Sequence, residues 1–237
     1  MSLELIIIIA VIGFAVLLCF LLAIANFSGD RFLEKYEKMD KIGTGIDMTS
    51  IEYVDYLNSK YFDNKIQVIQ IGARGGDAYG NGKIFLSTST TVKSSLASFA
   101  IISHEMGHAK QDVEGKKLKR LIFLRKFGRI IGTLMMPSLL LGLIFLIIGS
   151  KFFIPGIVLI ACGGLIFLTA LLTKLITISI EKDASKNAMM FLQELLPEKE
   201  LKLCKKFLND AKLTYWADFL RVLFCWTAMS RKTRLFN

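Results

Sequence analysis

Two histidines, His104 and His108, are the only ones in this 237-residue chain, and they stand four positions apart. A glutamate follows the first, so the stretch reads His104-Glu105-Met106-Gly107-His108. On a helix, residues four apart lie about 40° apart around the axis and roughly 6 Å along it. Two imidazoles so placed converge on one cation, and neutral imidazole is a good ligand for zinc. A carboxylate beside that ion, at Glu105, can take a proton from water. Catalytic zinc usually takes three protein ligands. With no third histidine, the remaining ligand is expected to be a carboxylate. Glu114, six residues past His108, points some 240° around the axis. Asp112 stays on the histidine face but lies too far up the same helix to close a tetrahedron easily. A second helix is therefore expected to supply the ligand. Glu181, in "ISIEKDASKNAMMFLQELL", is the leading candidate, because the small residues Ala184 and Ser185 behind it permit close helix approach.

The elements that must position these groups are legible in outline. Arg31–Lys41 alternates charge with apolar residues and suggests a short amphipathic helix, and Ser50–Asn58 a second. Lys65–Ile71 reads as a strand, Asn81-Gly82 as a turn and Lys83–Ser87 as another strand. The histidine-bearing helix can be capped by Ser94 or Ser95 and ends at Gly115. Toward the C-terminus a helix runs from Lys174 to about Leu196, where Pro197 stops it. Lys199–Asn209 and Leu213–Met229 read as two more.

Hydrophobic residues make up 53% of the chain and charged residues 21%. The excess is concentrated in long runs: Leu5–Ala25, Ile130–Ile148 and Phe152–Leu172 carry no charge. Each approaches the roughly 20 helical residues that cross a hydrocarbon core. The first is read as an uncleaved anchor, since Glu4 precedes it and no Lys or Arg does. Seven basic residues and no acid lie between Lys116 and Arg129, against one base, Lys151, in the turn between the second and third runs. The positive-inside rule puts 27–129 and the segment from 174 onward in the cytoplasm and the N-terminus outside. The net charge of +10 then faces anionic lipid rather than nucleic acid. The four cysteines form no CxxC pair and indicate neither a zinc knuckle nor a disulfide framework.

The expected protein is a mainly α membrane protein. A zincin-like cytoplasmic α+β catalytic domain with a short sheet stands on three or four transmembrane helices. Residues 1–26 are the anchor, and 27–129 the cytoplasmic region with the HExxH helix. Residues 130–173 are a transmembrane hairpin. Residues 174–237 are juxtamembrane helices carrying the third ligand, the last of them a candidate for membrane association.

The stretches "HEMGHAKQDVEG", "EKDAS" and "AKLTYWADFL" resemble the YugP-type neutral zinc metallopeptidases of bacterial membranes, whose motifs run HEVGHAxQ, Glu-x-Asp-Ala-Ser and a Leu-Thr-Tyr helix. The resemblance implies that His104, His108 and Glu181 bind one Zn2+ per chain, with Glu105 as the base. The chain is similar, more distantly, to membrane gluzincins, which carry an Asn-Ala-Phe-like strand before the motif helix; "GDAYGNGKIFLS" is a candidate counterpart. That wider group has Asp where this chain has Ser185. A carboxylate orienting a histidine must then come from elsewhere, and Asp183 is a candidate, although it lies 200° around an ideal helix from Glu181.

The expected activity is hydrolysis of a peptide bond by metal-activated water near the cytoplasmic membrane face. The expected substrate is a membrane-associated polypeptide. It is expected to pair with the strand Lys83, Ile84, Phe85, Leu86 and Ser87 by edge addition, with Tyr79 a candidate oxyanion donor. The rival readings are a non-catalytic zinc-binding membrane scaffold and a lipid-surface interaction protein.

Overall fold

The structure is a computed structural model, and it describes residues 31–72, 76–115 and 133–223 together with the single positions Gly13 and Phe123. The first apolar run, Leu5–Ala25, and the basic cluster Lys116–Arg129 lie outside the described residues but for Gly13 and Phe123.

Helix α1 (31–39) is amphipathic, burying Phe32 and Met39. Helix α2 (Ser50–Phe62) begins at a capping box in which Thr49 and Glu52 satisfy each other's backbone N–H groups. It runs a turn beyond the expected end at Asn58, because the Asn58 side chain is consumed within the fold. Its amide donates to the Ile66 carbonyl at 2.9 Å and accepts from the Ile66 N–H at 3.1 Å. That clamp fixes how the chain leaves the helix and enters the sheet.

Strands β1 (Gln67–Ile71), β2 (Ala78–Gly80) and β3 (Lys83–Ser87) form one sheet in the order β1-β3-β2. The hairpin turns at Asn81-Gly82 with φ of 53° and 73°, the double positive φ that tight hairpins require and this dipeptide favours. β3 is central. It pairs parallel with β1 along its length and antiparallel with β2 over Lys83–Phe85. This corrects the expectation that Lys83–Ser87 receives a substrate by edge addition, since both of its edges are occupied over Lys83–Phe85. Strand order depends on pairings between distant residues, which local sequence patterns do not encode. The first strand also starts at Gln67 rather than Lys65.

Short helix α3 (Thr88–Val92) is capped by Ser87 and leads to α4 (Leu96–Glu114), which carries both histidines. Ser95 caps α4 by accepting from the Ser98 N–H, and Gly115 ends it, as the sequence predicts. Every residue from Leu96 to Ala109 is buried, so α4 is the central helix of the fold rather than a surface one. The Tyr53 ring stacks on Phe99 at 4.2 Å. Ser103 donates its hydroxyl hydrogen to the Phe99 carbonyl, so the Tyr53 hydroxyl, 2.6 Å from Ser103 Oγ, is the donor to it. This contact pins α4 one residue before His104.

Helices α5 (Met135–Ile148) and α6 (Phe153–Gln193) form an apolar hairpin. It turns at Gly149, whose φ of 139° suits glycine. A β-carbon on Gly142 would stand 2.9 Å from the Gly156 carbonyl oxygen, so these glycines set how closely the two helices pack. At 14 residues the described α5 is shorter than a span. Among the described residues, one helix is long and apolar enough to cross a membrane: Ser150–Gln193, with mean hydropathy 2.4 over its most apolar window. Only 11% of that window is buried, unlike the core helix of a globular domain.

α6 passes through the expected boundary between 130–173 and 174–237 without a break. Two helices were expected after Pro197; one is observed, α7 (Glu198–Leu223). No Gly or Pro interrupts Asn209-Asp210-Ala211-Lys212, and buried Phe207, Leu208 and Ala211 carry one apolar stripe across it. Phe207 stacks on Phe32 at 5.1 Å, closing the core. Residues 224–229 of the expected last helix lie outside the described residues.

Candidate metal centre

α6 packs along α4 and brings Glu181 to the two histidines. Glu181 Oε2 lies 3.1 Å from His104 Nε2 and 3.3 Å from His108 Nε2. Among the described residues this is the one group of three or more His, Cys, Asp or Glu side chains able to hold a metal ion, its donor atoms all within 4.8 Å of one another. The three residues are buried in the same interface, His108 the least so at 9% exposure.

The outward nitrogens of both rings are committed elsewhere. Gln111 donates its amide N–H to the Ile180 carbonyl at 2.8 Å, which turns its Oε1 toward His108 Nδ1 at 3.0 Å. A carbonyl only accepts, so this orientation of the amide is fixed, and Nδ1 of His108 must carry the hydrogen. Ser185 behaves alike. Its hydroxyl donates to the Glu181 carbonyl at 2.9 Å, so the 3.4 Å contact with His104 Nδ1 has the imidazole as donor. In each neutral ring the Nε2 lone pair then faces Glu181.

Two lone pairs and a carboxylate oxygen thus meet with no hydrogen among them. Such a set of acceptors is stable only around a cation. A tetrahedral ion with arms near 2.05 Å sets its ligands about 3.3 Å apart, close to the two nitrogen–oxygen separations found here. The donor set of two imidazoles and one carboxylate therefore fits zinc. A proton can take the same place. Burial disfavours a charged His108, but the charge and hydrogen bond of Glu181 outweigh it and raise the imidazole's pKa to about 9. Burial would raise the Glu181 carboxyl, yet the charge of His108 and the hydrogen bonds from both rings hold it well below its usual range.

Glu105 sits within the same electrostatic neighbourhood. Burial pushes its pKa up, and the two histidines oppose that push. A carboxylate of raised pKa beside a cation site is suited to receive and return a proton.

The remaining sequence-predicted residues fall elsewhere. Asp183 is exposed and reaches no histidine; Ser185 and Gln111 hold the Nδ1 atoms of His104 and His108 instead. Tyr79 lies on β2 and donates its hydroxyl hydrogen to Asp112 of α4 at 3.0 Å while accepting from the Gly82 N–H. Burial and that carboxylate push its pKa up to about 12. It ties the hairpin to the motif helix. Asp77, unremarked in the sequence, is buried and accepts from the Ser87 N–H at 2.7 Å and the Thr90 hydroxyl at 2.9 Å. It fastens the end of β3 to α3 just ahead of α4. Its signal in the sequence is one acid within a glycine-rich stretch, which looks like a turn.

Residues 9–230 match a family model described as "Putative neutral zinc metallopeptidase". No curated protein and no solved structure matches the chain.

Proposed function

We propose, since the chain belongs to the neutral zinc metallopeptidase family, that it is a membrane-bound zinc endopeptidase acting where the bilayer meets the cytoplasm. The observation that carries this reading is the inward convergence of His104 Nε2, His108 Nε2 and Glu181 Oε2, with both Nδ1 atoms held outward. Zinc, when bound, polarises a peptide carbonyl and makes water nucleophilic near neutral pH. Glu105 would accept a proton from that water and return it to the leaving amine. Gln111 and Ser185 keep the two rings in the ligating tautomer.

The substrate strand is reassigned in this reading. Among the described residues, β2 pairs with β3 alone. Its outer edge, Ala78–Gly80, is the place where an extended peptide adds to the sheet beside α4.

The membrane setting rests on the apolar, little-buried first half of α6 and on the placement of basic residues around the apolar runs. Glu181 lies seven residues past Lys174, roughly 10 Å farther along one continuous helix. The site then stands just above the cytoplasmic surface, the N-terminus lies outside, and membrane-associated polypeptides are the substrates.

The deciding experiment is Glu105→Gln in purified full-length protein. Zinc stays at one per chain while peptide hydrolysis falls on the order of 10²- to 10⁴-fold. Undiminished hydrolysis would overturn the role of Glu105. A wild-type protein that holds zinc but cleaves no peptide would support the scaffold reading instead.

A further inference from the structure

A second feature lies beside the metal centre, between α6 and α7. A cavity of about 310 Å³ opens there, with Lys182 and Lys186 on one wall and Lys205 and Lys212 on the other. The spacing on each helix is one or two turns, so the ammonium groups stack along facing sides. Asp183 is the one acid in the lining, which leaves four positive charges against one negative. Among the described residues, Lys182, Lys186 and Lys205 make no ion pair. Lys212 donates only to the Asn209 side chain on its own helix. Apolar Met189 and Leu208 also line the space.

Four ammonium groups around one cavity repel one another, weakly at exposed Lys182, Lys186 and Lys205 and more at half-buried Lys212, where less water screens the charge. Lys212 records the strain: burial, then the charges of Lys182 and Lys205, push its pKa down. An anion removes the conflict. Its identity follows from height. The run of exposed apolar side chains on α6 ends at Leu175 and Ile176, with Met190 alone exposed beyond it. Lys182 is six residues farther, roughly 9 Å along the axis. The headgroup layer of one leaflet is about 5–8 Å thick, so the helix axis at Lys182 stands just beyond it. Side chains on α6 lean back toward the helix N-terminus, the membrane side, and a lysine stem reaches down into the headgroups.

We propose that this cavity binds the phosphate of an anionic phospholipid headgroup, with the lysines around the phosphate and Met189 and Leu208 against its glycerol. The proposal rests on the membrane reading above. Ser185 lines the cavity and also contacts His104, so the lipid stands one side chain from the metal centre.

The test uses the full-length, zinc-loaded chain in neutral detergent, titrated with short-chain phosphatidylglycerol, phosphatidylcholine, inorganic phosphate or an acidic peptide. Bound ligand is read by native mass spectrometry. The cavity pair Lys182→Gln/Lys205→Gln is compared with Lys202→Gln/Lys206→Gln, which removes two exposed charges from α7 outside the cavity. The cavity pair should bind phosphatidylglycerol about thirtyfold more weakly, two lysines at the usual strength of lysine–headgroup attraction. The control pair should stay near wild type, and phosphatidylcholine should bind weakly throughout. Equal loss in both pairs means diffuse attraction and overturns the site. Lysine-dependent binding of inorganic phosphate or acidic peptide, without such dependence for phosphatidylglycerol, overturns the lipid assignment. If the cavity pair misfolds, Lys205→Gln alone is read against Lys206→Gln. Zinc content and Glu105-dependent hydrolysis are measured on the same samples. If the wild-type chain binds no phosphatidylglycerol while its zinc content and Glu105-dependent hydrolysis are intact, this inference alone fails.

Discussion

Gly107 of α4 and Ala184 of α6 meet backbone to backbone: a β-carbon on Gly107 would stand 2.4 Å from the Ala184 carbonyl oxygen. Asn187 reinforces the contact by donating to the Gly107 carbonyl at 3.3 Å. The middle of the HExxH motif is thus a point of direct backbone contact between the two ligand-bearing helices. Gly107→Ala forces them apart, because backbone cannot swing aside as a side chain can. The expected loss is roughly 1–3 kcal/mol of stability, with weaker zinc binding as Glu181 recedes. Thermal unfolding and a zinc-competition titration measure both, and wild-type values in each would refute the packing.

Glu181 and Asp183 are two residues apart on α6, but one faces the histidines and the other faces solvent. Glu181→Gln should sharply reduce zinc per chain in elemental analysis. Asp183→Asn should leave it unchanged. Equal effects would mean that the helix is rotated from the position described.

Gln111 and Ser185 are neutral groups in places where carboxylates often orient ligating histidines. Gln111→Ala should weaken zinc binding about 10- to 100-fold. Ser185→Ala should weaken it less, since its contact with His104 is the longer one, 3.4 Å against 3.0 Å. Competition with a chromophoric chelator ranks the two, and the reverse order would contradict the hydrogen-bond assignment.

The metal-free protein should show its own pH profile. His108 has its pKa raised from 6.5 to about 9 in the fold, so its contribution is complete below 6.5 and is lost as pH rises through about 9. Glu181 is held well below 4.5, so its contribution is present above that value and is lost as pH falls through its lowered pKa. The pair therefore stabilises most between about 4.5 and 6.5, and the chelated protein should weaken toward pH 9. Zinc keeps both rings unprotonated, so the zinc-loaded protein should lack that alkaline decline. Melting curves with and without chelator decide the matter; identical alkaline slopes would show that the pair does not act as described.

The motif helix was legible because its signals are local. Ser95 at its start, Gly115 at its end and the histidine spacing are all fixed by chemistry within a few residues. Glu181 was found by elimination of nearer acids and by the small residues behind it. Strand order was not legible, because β1 and β2 both flank β3 through contacts that only the folded chain defines. Gln111 carries no local signal of its role. Its task depends on the Ile180 carbonyl, 69 residues away, which turns the amide so that its oxygen meets His108. Ser185 looked like a missing carboxylate for a similar reason: its partner is the main chain of Glu181, one turn earlier on the same helix. The join between Lys199–Asn209 and Leu213–Met229 was hidden by Asn209 and Asp210, which favour helix ends in isolation but here ride on a buried stripe.

Helix α6 is a single rod of 41 residues, with apolar surface at one end and Glu181 twenty-eight residues from its start. No hinge separates the two. The backbone contact of Gly107 with Ala184 fastens α4 to the same rod, so the two imidazoles and the carboxylate are carried as one rigid unit whatever surrounds the apolar end.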